Sequence, residues 1–356
     1  MRTIALFLPN WIGDVVMATP AIRAVRTRYP HAKLLAVCKP YVADTLGGSP
    51  WFDDVVPFDK RGPNAARFWS VVSRLRREAT DAAILFPNSF RPALAAKFAG
   101  CTRIVGFARY GRDVLLTDRL YAKRNPDGRP KPMPIVDDYN RLAEMLGADA
   151  PGHNLELFAT PEDERRADAF LHESGLLQFD EIIGLNPGGA FGASKHWPTE
   201  SFAKVARDFA KDRSRGVVVL CGPSEREEAR TIAALAGLPN VVPMSDIALS
   251  IGLTKAIVRR LRLLIATDSG PRHFAAAFGV PVVTLFGPTH IGWTETYYAK
   301  AVHLQEAVPC GPCQQRVCPL GHHRCMTELS PDKVVRTAQA LLAHHTPNTH
   351  ERRHAC

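Results

Sequence analysis

Apolar and polar positions along this chain change in blocks rather than residue by residue. Short β-branched runs, continuous enough to be buried on both faces, alternate with longer stretches spaced for helices. In the first block the runs at residues 4–8, 34–37, 82–86 and 103–106 predict strands, and 17–28 predicts a helix between the first two. In the second block strands are predicted at 182–185, 217–220, 241–243, 263–267 and 282–286, separated by helices at 199–212, 225–236 and 250–261. Residues 156–177 are polar with helical spacing and read as a bridge between the blocks. A last helix is predicted over 332–344 after Ser330-Pro331, a start signal. The polar tail 346–356 reads as disordered.

Strand–helix alternation of this kind implies parallel sheets with right-handed crossovers. The predicted fold is α/β with two Rossmann-like domains. Residues 1–165 form the first and 166–330 the second, and 356 residues are too many for one core of ordinary size. Ligands of such sheets bind beyond the carboxyl ends of the strands. Two sheets facing a central cleft would therefore line it with the loops that follow strands.

Three of those loops carry candidate chemistry. The first, Leu8-Pro9-Asn10-Trp11-Ile12-Gly13-Asp14, follows the first strand and opens a helix. Gly13 allows close backbone approach, and an anionic Asp14 is favoured near a helix N-terminus. A plain Asp cap is the simpler alternative. The second runs from Asn186 through Gly188, Gly189 and Gly192 to Lys195-His196-Trp197-Pro198. Its glycines permit a loop of N–H groups facing an anion, with Lys195 as a point charge. It lacks the Gly-Lys-Ser/Thr run of a phosphate-binding P-loop. The third is Thr267-Asp268-Ser269-Gly270-Pro271-Arg272-His273, again between a strand and a helix. Ser269 and Gly270 at a helix start suit a pyrophosphate. Asp268 would repel one, so it is read as orienting Lys195, a loop amide or a sugar hydroxyl.

Charge changes the picture in one place. The net charge is +10, and residues 60–131 hold 16 Lys and Arg against 5 Asp and Glu. That stretch is either a solvated basic face or a surface for an anionic partner such as phospholipid or a phosphorylated glycolipid. Arg109 and Arg112 follow a strand and are the acceptor-side candidates within it. No helix-turn-helix, RNP or zinc-finger pattern accompanies the charge, so no nucleic acid is expected. Residues 1–10 hold one basic residue and a short apolar run that Gly13, Asp14 and Pro20 interrupt. This reads as a buried strand rather than a signal peptide, and a cytoplasmic location follows. Cys310, Cys313, Cys318 and Cys325 cluster beside His322 and His323. Their spacing fits no standard zinc finger. Structural zinc, a redox role and ordinary reduced thiols stay open.

Taken in order, these pieces resemble the ADP-heptose:lipopolysaccharide heptosyltransferases, and within that family the heptosyltransferase II type. The resemblance rests on residues 8–23, the Pro187-Gly188-Gly189 loop with Lys195-His196-Trp197-Pro198, Asp268 to His273 with Leu285-Phe286-Gly287-Pro288-Thr289, and residues 318–325. It extends from residue 1 to about 342. It implies a GT-B fold whose C-terminal helix, residues 331–345, crosses back to the first domain. It implies an inverting transfer without cofactor or catalytic metal. The donor ADP-heptose would lie on the second domain and an anionic Kdo-containing lipid A core on the first. Asp14 matches the family's base, and Lys195 with the turn Ser269 to His273 its phosphate contacts. Glu225 matches a contact to the adenosine ribose. Asn10, Trp11 and Gly13 fall on the acceptor side. An acceptor in a membrane leaflet implies peripheral association with the cytoplasmic face of the inner membrane. A nucleotide-sugar 2-epimerase of similar build and a non-catalytic nucleotide-binding scaffold are the rival readings.

Overall fold

A computed structural model of the protein describes residues 1–128, 131–189 and 192–345. Ala190 and Phe191 of the glycine-rich loop, and the tail expected to be disordered, lie outside them. The chain divides into two compact units. One comprises Met1–Thr160 with Gly292–Tyr297, and the other Pro161–Ile291 with the described residues from Tyr298 on.

The first unit is built on six parallel strands, β1 (Thr3–Phe7), β2 (Lys33–Cys38), β3 (Asp54–Pro57), β4 (Ala82–Leu85), β5 (Arg103–Phe107) and β6 (Asp118–Leu120). Their order across the sheet is β3-β2-β1-β4-β5-β6. Every residue of β1 and β4 is buried, as continuous apolar runs require when helices cover both faces. The Phe68–Arg77 helix presents Val71, Val72 and Leu75 to that core. Its neighbour Phe90–Ala99 adds Ala93, Ala95, Ala96 and Ala99, and ends on Gly100 at φ 88°, a left-handed cap that glycine adopts without strain.

The second unit repeats the plan with β7 (Glu181–Asn186), β8 (Arg215–Val219), β9 (Val241–Pro243), β10 (Leu263–Thr267), β11 (Val282–Phe286) and β12 (Ala301–Gln305). The order is β12-β11-β10-β7-β8-β9, the same topology read from the other edge. In each all-parallel sheet the strand order therefore reverses once. The reversal falls between β1 and β4 in the first and between β7 and β10 in the second. These switch points are where an open α/β sheet binds ligands.

Three expectations need correction. The predicted helix 17–28 starts two residues later, as Thr19–Arg28, and a separate short helix, Ile12–Met17, precedes it. Pro20 has no N–H for the carbonyl of Val16, and the Thr19 hydroxyl donates to that oxygen instead at 2.7 Å. The bridging helix is Pro161–Glu173 and belongs to the second unit, which begins at residue 161 rather than 166. The last helix, Pro331–His344, packs on the Thr199–Ala210 helix and on β10, β11 and β12 of its own unit. The later segment that groups with the first unit is Gly292–Tyr297, where the Tyr297 hydroxyl donates to Asp137 at 2.9 Å.

Candidate functional site

At the switch point of the second unit, polar side chains tie together the loops that leave β7 and β10. The Asn186 amide donates to Ser269 Oγ at 2.9 Å and to the Gly188 carbonyl at 3.0 Å. The Thr267 hydroxyl donates to the same carbonyl at 2.7 Å. Ser269 stands at the N-cap position of the Gly270–Ala277 helix, whose first turn contains Pro271, and its hydroxyl donates to the Thr267 carbonyl at 3.1 Å rather than capping the helix. Gly188 has a steric duty. A Cβ there would stand 2.1 Å from the Glu225 carboxyl carbon. Its absence lets Glu225 lie against the loop and accept the Gly222 N–H at 2.7 Å. Gly189 faces Ser269 and Thr267, 3.6 Å from where its Cβ would be. The residues assigned to the nucleotide from three separate loops are thus brought together.

Lys195 and Asp268 form the charged centre of this site. Lys195 Nζ lies 2.5 Å from Asp268 Oδ2 and donates to the Asp268 carbonyl at 2.9 Å. The Thr289 hydroxyl donates to Oδ2 at 2.8 Å, and Arg272 Nε stands 3.2 Å from Oδ1. Burial pushes the Asp268 carboxyl up, but Arg272 and then Lys195 overcome it and hold it well below the ordinary carboxylate range. Asp268 therefore orients Lys195, one of the roles expected of it. Two cations and one anion leave one positive charge beside a helix N-terminus, an arrangement that favours an incoming diphosphate. Arg272 and His273 lie deeper than the loop, at 2% and 3% exposure. The Arg272 guanidinium stacks over Phe286 at 5.2 Å. Burial, helped by Arg272, pushes His273 well below its ordinary value, so its imidazole is neutral. Asn186, Thr267 and Thr289 had no assigned role in sequence. Their only signal was a hydrogen-bonding side chain in or just beyond an otherwise apolar strand.

In the first unit Asp14 occupies the first turn of the Ile12–Met17 helix and is partly buried. Burial first, and the Asp14 charge second, push the enclosed Tyr139 phenol far above its ordinary value. Trp11 is 46% exposed and Gly13 is partly buried beside it. Asn10 helps to line a cavity of about 290 Å³ across the ends of β1, β2 and β4. Lys39, Lys60, Arg61 and Arg91 also line it, with Asp59 as the one carboxylate. This cationic pocket sits at the first switch point, and of its cations Lys60, Arg61 and Arg91 fall within the basic stretch 60–131, none of them singled out there for a ligand. Lys39 and Arg91 each follow a strand closely, which was the available signal.

The same stretch yields a correction at Arg112. It is fully buried and donates to the carbonyls of Phe107, Pro87 and Ser89 at 2.9, 2.5 and 3.1 Å, and to Asn88 Oδ1 at 3.2 Å. Its guanidinium splints the loop after β4 and has no outward face for an acceptor. Burial and then Arg109 lower its pKa to about 10, so it remains charged at neutral pH. Arg109 is partly exposed, with Asp138 and Arg112 in its electrostatic reach.

Cys310, Cys313, Cys318 and Cys325 surround a cavity of about 70 Å³ with His322 and His323. Cys310 Sγ lies 3.8 Å from His322 Nε2. The N–H of His323, with those of its neighbours, lowers the Cys318 thiol below its ordinary value. Burial and then the other three thiols raise Cys325. Among the described residues no group of three or more His, Cys, Asp or Glu side chains is disposed to hold a metal ion.

Comparison with known proteins identifies the family. Residues 68–324 match glycosyltransferase family 9 (heptosyltransferase). The chain is 28% identical to lipooligosaccharide heptosyltransferase 2 of Campylobacter jejuni serotype O:2, covering 95% of this chain and 98% of that protein. Among solved structures it is similar to the glycosyl transferase family 9 protein of Veillonella parvula, with a TM-score of 0.80 and 25% identity over 96% of this chain and 97% of that one. The ADP-heptose lps heptosyltransferase II of E. coli shares the fold at a TM-score of 0.77 and 22% identity, covering 98% and 100%.

Proposed function

Because this chain belongs to glycosyltransferase family 9 (heptosyltransferase), we propose a division of labour between its two switch points. It is a glycosyltransferase that moves heptose in building the lipopolysaccharide core. The second unit holds the donor, ADP-L-glycero-D-manno-heptose. The first unit holds the acceptor, the anionic heptosyl-Kdo-lipid A core. The observation that carries this reading is the Lys195–Asp268–Arg272 cluster at the start of the Gly270–Ala277 helix, built from the segments that follow β7 and β10 at one switch point. The cationic cavity at the other switch point suits an acceptor bearing phosphates and carboxylates.

In the reaction an acceptor hydroxyl oxygen bonds to the anomeric carbon as the bond from that carbon to ADP breaks. Attack from the face opposite ADP inverts the centre. Asp14 accepts the hydroxyl proton. The electron pair leaves with the diphosphate, whose growing charge Lys195 and the N–H groups around Ser269 and Gly270 stabilise. Glu225 holds the ribose. These groups do electrostatic work commonly left to a divalent cation, and the reaction proceeds without one. No helix among the described residues is long and apolar enough to cross a membrane. The enzyme reaches a lipid-anchored acceptor as a cytoplasmic protein bound peripherally to the inner membrane.

The test is mass spectrometry of a defined heptosyl-Kdo-lipid A incubated with ADP-heptose, with and without EDTA. One added heptose is expected in both. Asp14→Asn is expected to slow transfer by about 10²–10⁴-fold while leaving ADP binding intact. More than a tenth of wild-type turnover in that variant would remove Asp14 as the base. Activity lost to EDTA and restored by Mg²⁺ would overturn the metal-free step. An isomerised nucleotide-sugar formed without acceptor would favour the epimerase.

A further inference from the structure

The Phe68–Arg77 and Phe90–Ala99 helices pack on each other, and their outward faces have an unusual composition. Trp69 is 65% exposed and Phe98 39%, although both are large and apolar. With Phe68 they form one surface cluster. Ring centroids lie 5.0 Å apart for Phe68 and Trp69, 5.4 Å for Trp69 and Phe98, and 6.2 Å for Phe68 and Phe98. Arg76 Nε donates to the Phe98 carbonyl at 2.7 Å, and Arg67, Arg76, Arg77 and Lys97, on or at the start of these helices, are all exposed. Neither helix contains an Asp or Glu. The nearest acid in sequence, Glu78, is engaged by Lys33 at 2.7 Å and Arg74 at 2.9 Å. The basic stretch thus divides. Arg74 is neutralised by Glu78 and Asp54, whereas these exposed cations lack acidic neighbours on their own helices.

We infer that this face docks on an anionic lipid bilayer, with Trp69 and Phe98 entering the headgroup layer and Arg67, Arg76, Arg77 and Lys97 meeting lipid phosphates. Exposed aromatic rings on cation-bearing helices match the two properties of a membrane–water interface, an apolar edge and a negative surface potential. An acid-free face matches lipid phosphate better than a protein surface of mixed charge. Continuity with the acceptor pocket points the same way. Arg91 lies over Phe68 at 5.8 Å and over Phe58 at 4.9 Å, and it also lines the cationic cavity. The patch and the mouth of that cavity therefore share one edge of the first unit. A lipid-anchored acceptor would extend from the bilayer into the pocket beside it, so the inference rests on the acceptor assignment proposed above.

The experiment is co-sedimentation of the full chain with phosphatidylcholine vesicles, with and without phosphatidylglycerol, at low and high salt. Wild type is expected to bind the anionic vesicles and to be released by salt. Arg77→Gln with Lys97→Gln should weaken that binding roughly 30-fold, two charges at about 1 kcal/mol each. Trp69→Ser with Phe98→Ser should weaken binding while the salt sensitivity persists. All four positions are exposed, and thermal midpoints near wild type verify folding. Turnover on a de-acylated, water-soluble acceptor should be unchanged in both variants. Loss of that turnover in wild type would refute the transferase reading and leave the vesicle result to stand alone. Vesicle binding indifferent to phosphatidylglycerol, or unaltered in both variants, would overturn the docking face. Self-association without lipid that both variants abolish would also overturn it and assign the face to a second copy of the chain.

Discussion

Replacing Asp268 by Asn tests whether the second switch point is held together as an ion-paired unit. The carboxylate is 5% exposed and faces Lys195 at 2.5 Å and Arg272 at 3.2 Å. An amide of the same shape retains a hydrogen bond to Thr289 but leaves two desolvated cations without their anion. Removing one partner of a buried pair typically costs about 3–5 kcal/mol. For a domain of this size that corresponds to a fall of roughly 6–20 °C in the melting transition. Lys195→Met alone leaves Asp268 paired with Arg272 and should cost less. The double variant should be more stable than the sum of the two predicts, by roughly 1–3 kcal/mol, because the second change removes a charge that the first had stranded. Urea unfolding of wild type, both single variants and the double variant measures that coupling. Calorimetry with ADP on the Lys195→Met variant separately reports the loss of the diphosphate contact. An Asp268→Asn variant within about 1 kcal/mol of wild type, or a double variant additive to within about 0.5 kcal/mol, would refute the idea of one coupled cluster.

Gly188→Ala forces the Glu225 carboxylate aside, since the new methyl would stand 2.1 Å from its carbon. Donor KM should rise about tenfold, and adding the change to Glu225→Ala should make matters no worse. Arg112→Ala strands three carbonyls and an Asn88 oxygen, so it should lower stability by at least about 3 kcal/mol. Acceptor KM measured well below the new melting temperature should change little, and a large rise would restore Arg112 to the acceptor site. His273 is neutral when folded, and its folded pKa lies below the unfolded value of about 6.5. The unfolded chain then binds the extra proton. Stability should fall as pH drops below about 6.5, by up to about 1.4 kcal/mol per unit, and His273→Gln should flatten that slope in urea titrations at stepped pH.

Among the described residues, nine of the twelve strands were legible from apolar runs, and the three that were missed share one physical property. β3, β6 and β12 are sheet edges. An edge strand has one neighbour and need not be buried on both faces. Val55 in β3 is accordingly 44% exposed, and β6 reads Asp-Arg-Leu. The site was legible where residue type and place coincided, as at Lys195, Asp268 and Gly188 just beyond strands. It was illegible where partners come from distant loops. That Thr289 reaches Asp268, or that Gly188 makes room for Glu225, depends on which strands are neighbours. Arg112 shows the opposite failure. An arginine after a strand reads as a ligand contact, and only its burial among carbonyls reveals a splint.

The two units also differ in when they become complete during synthesis. All six strands of the first sheet lie within Met1–Thr160, so the ribosome has released that sheet before the second domain exists. Domains generally fold as units, N-terminal first, at elongation rates of about 5–20 residues per second. Gly292–Tyr297 therefore reaches the first unit on the order of ten seconds after Thr160 is made, by which time β1 to β6 have had ample time to pair. Its Tyr297–Asp137 contact is a late fastening on a finished body, and removing it should leave the first domain's folding rate unaltered.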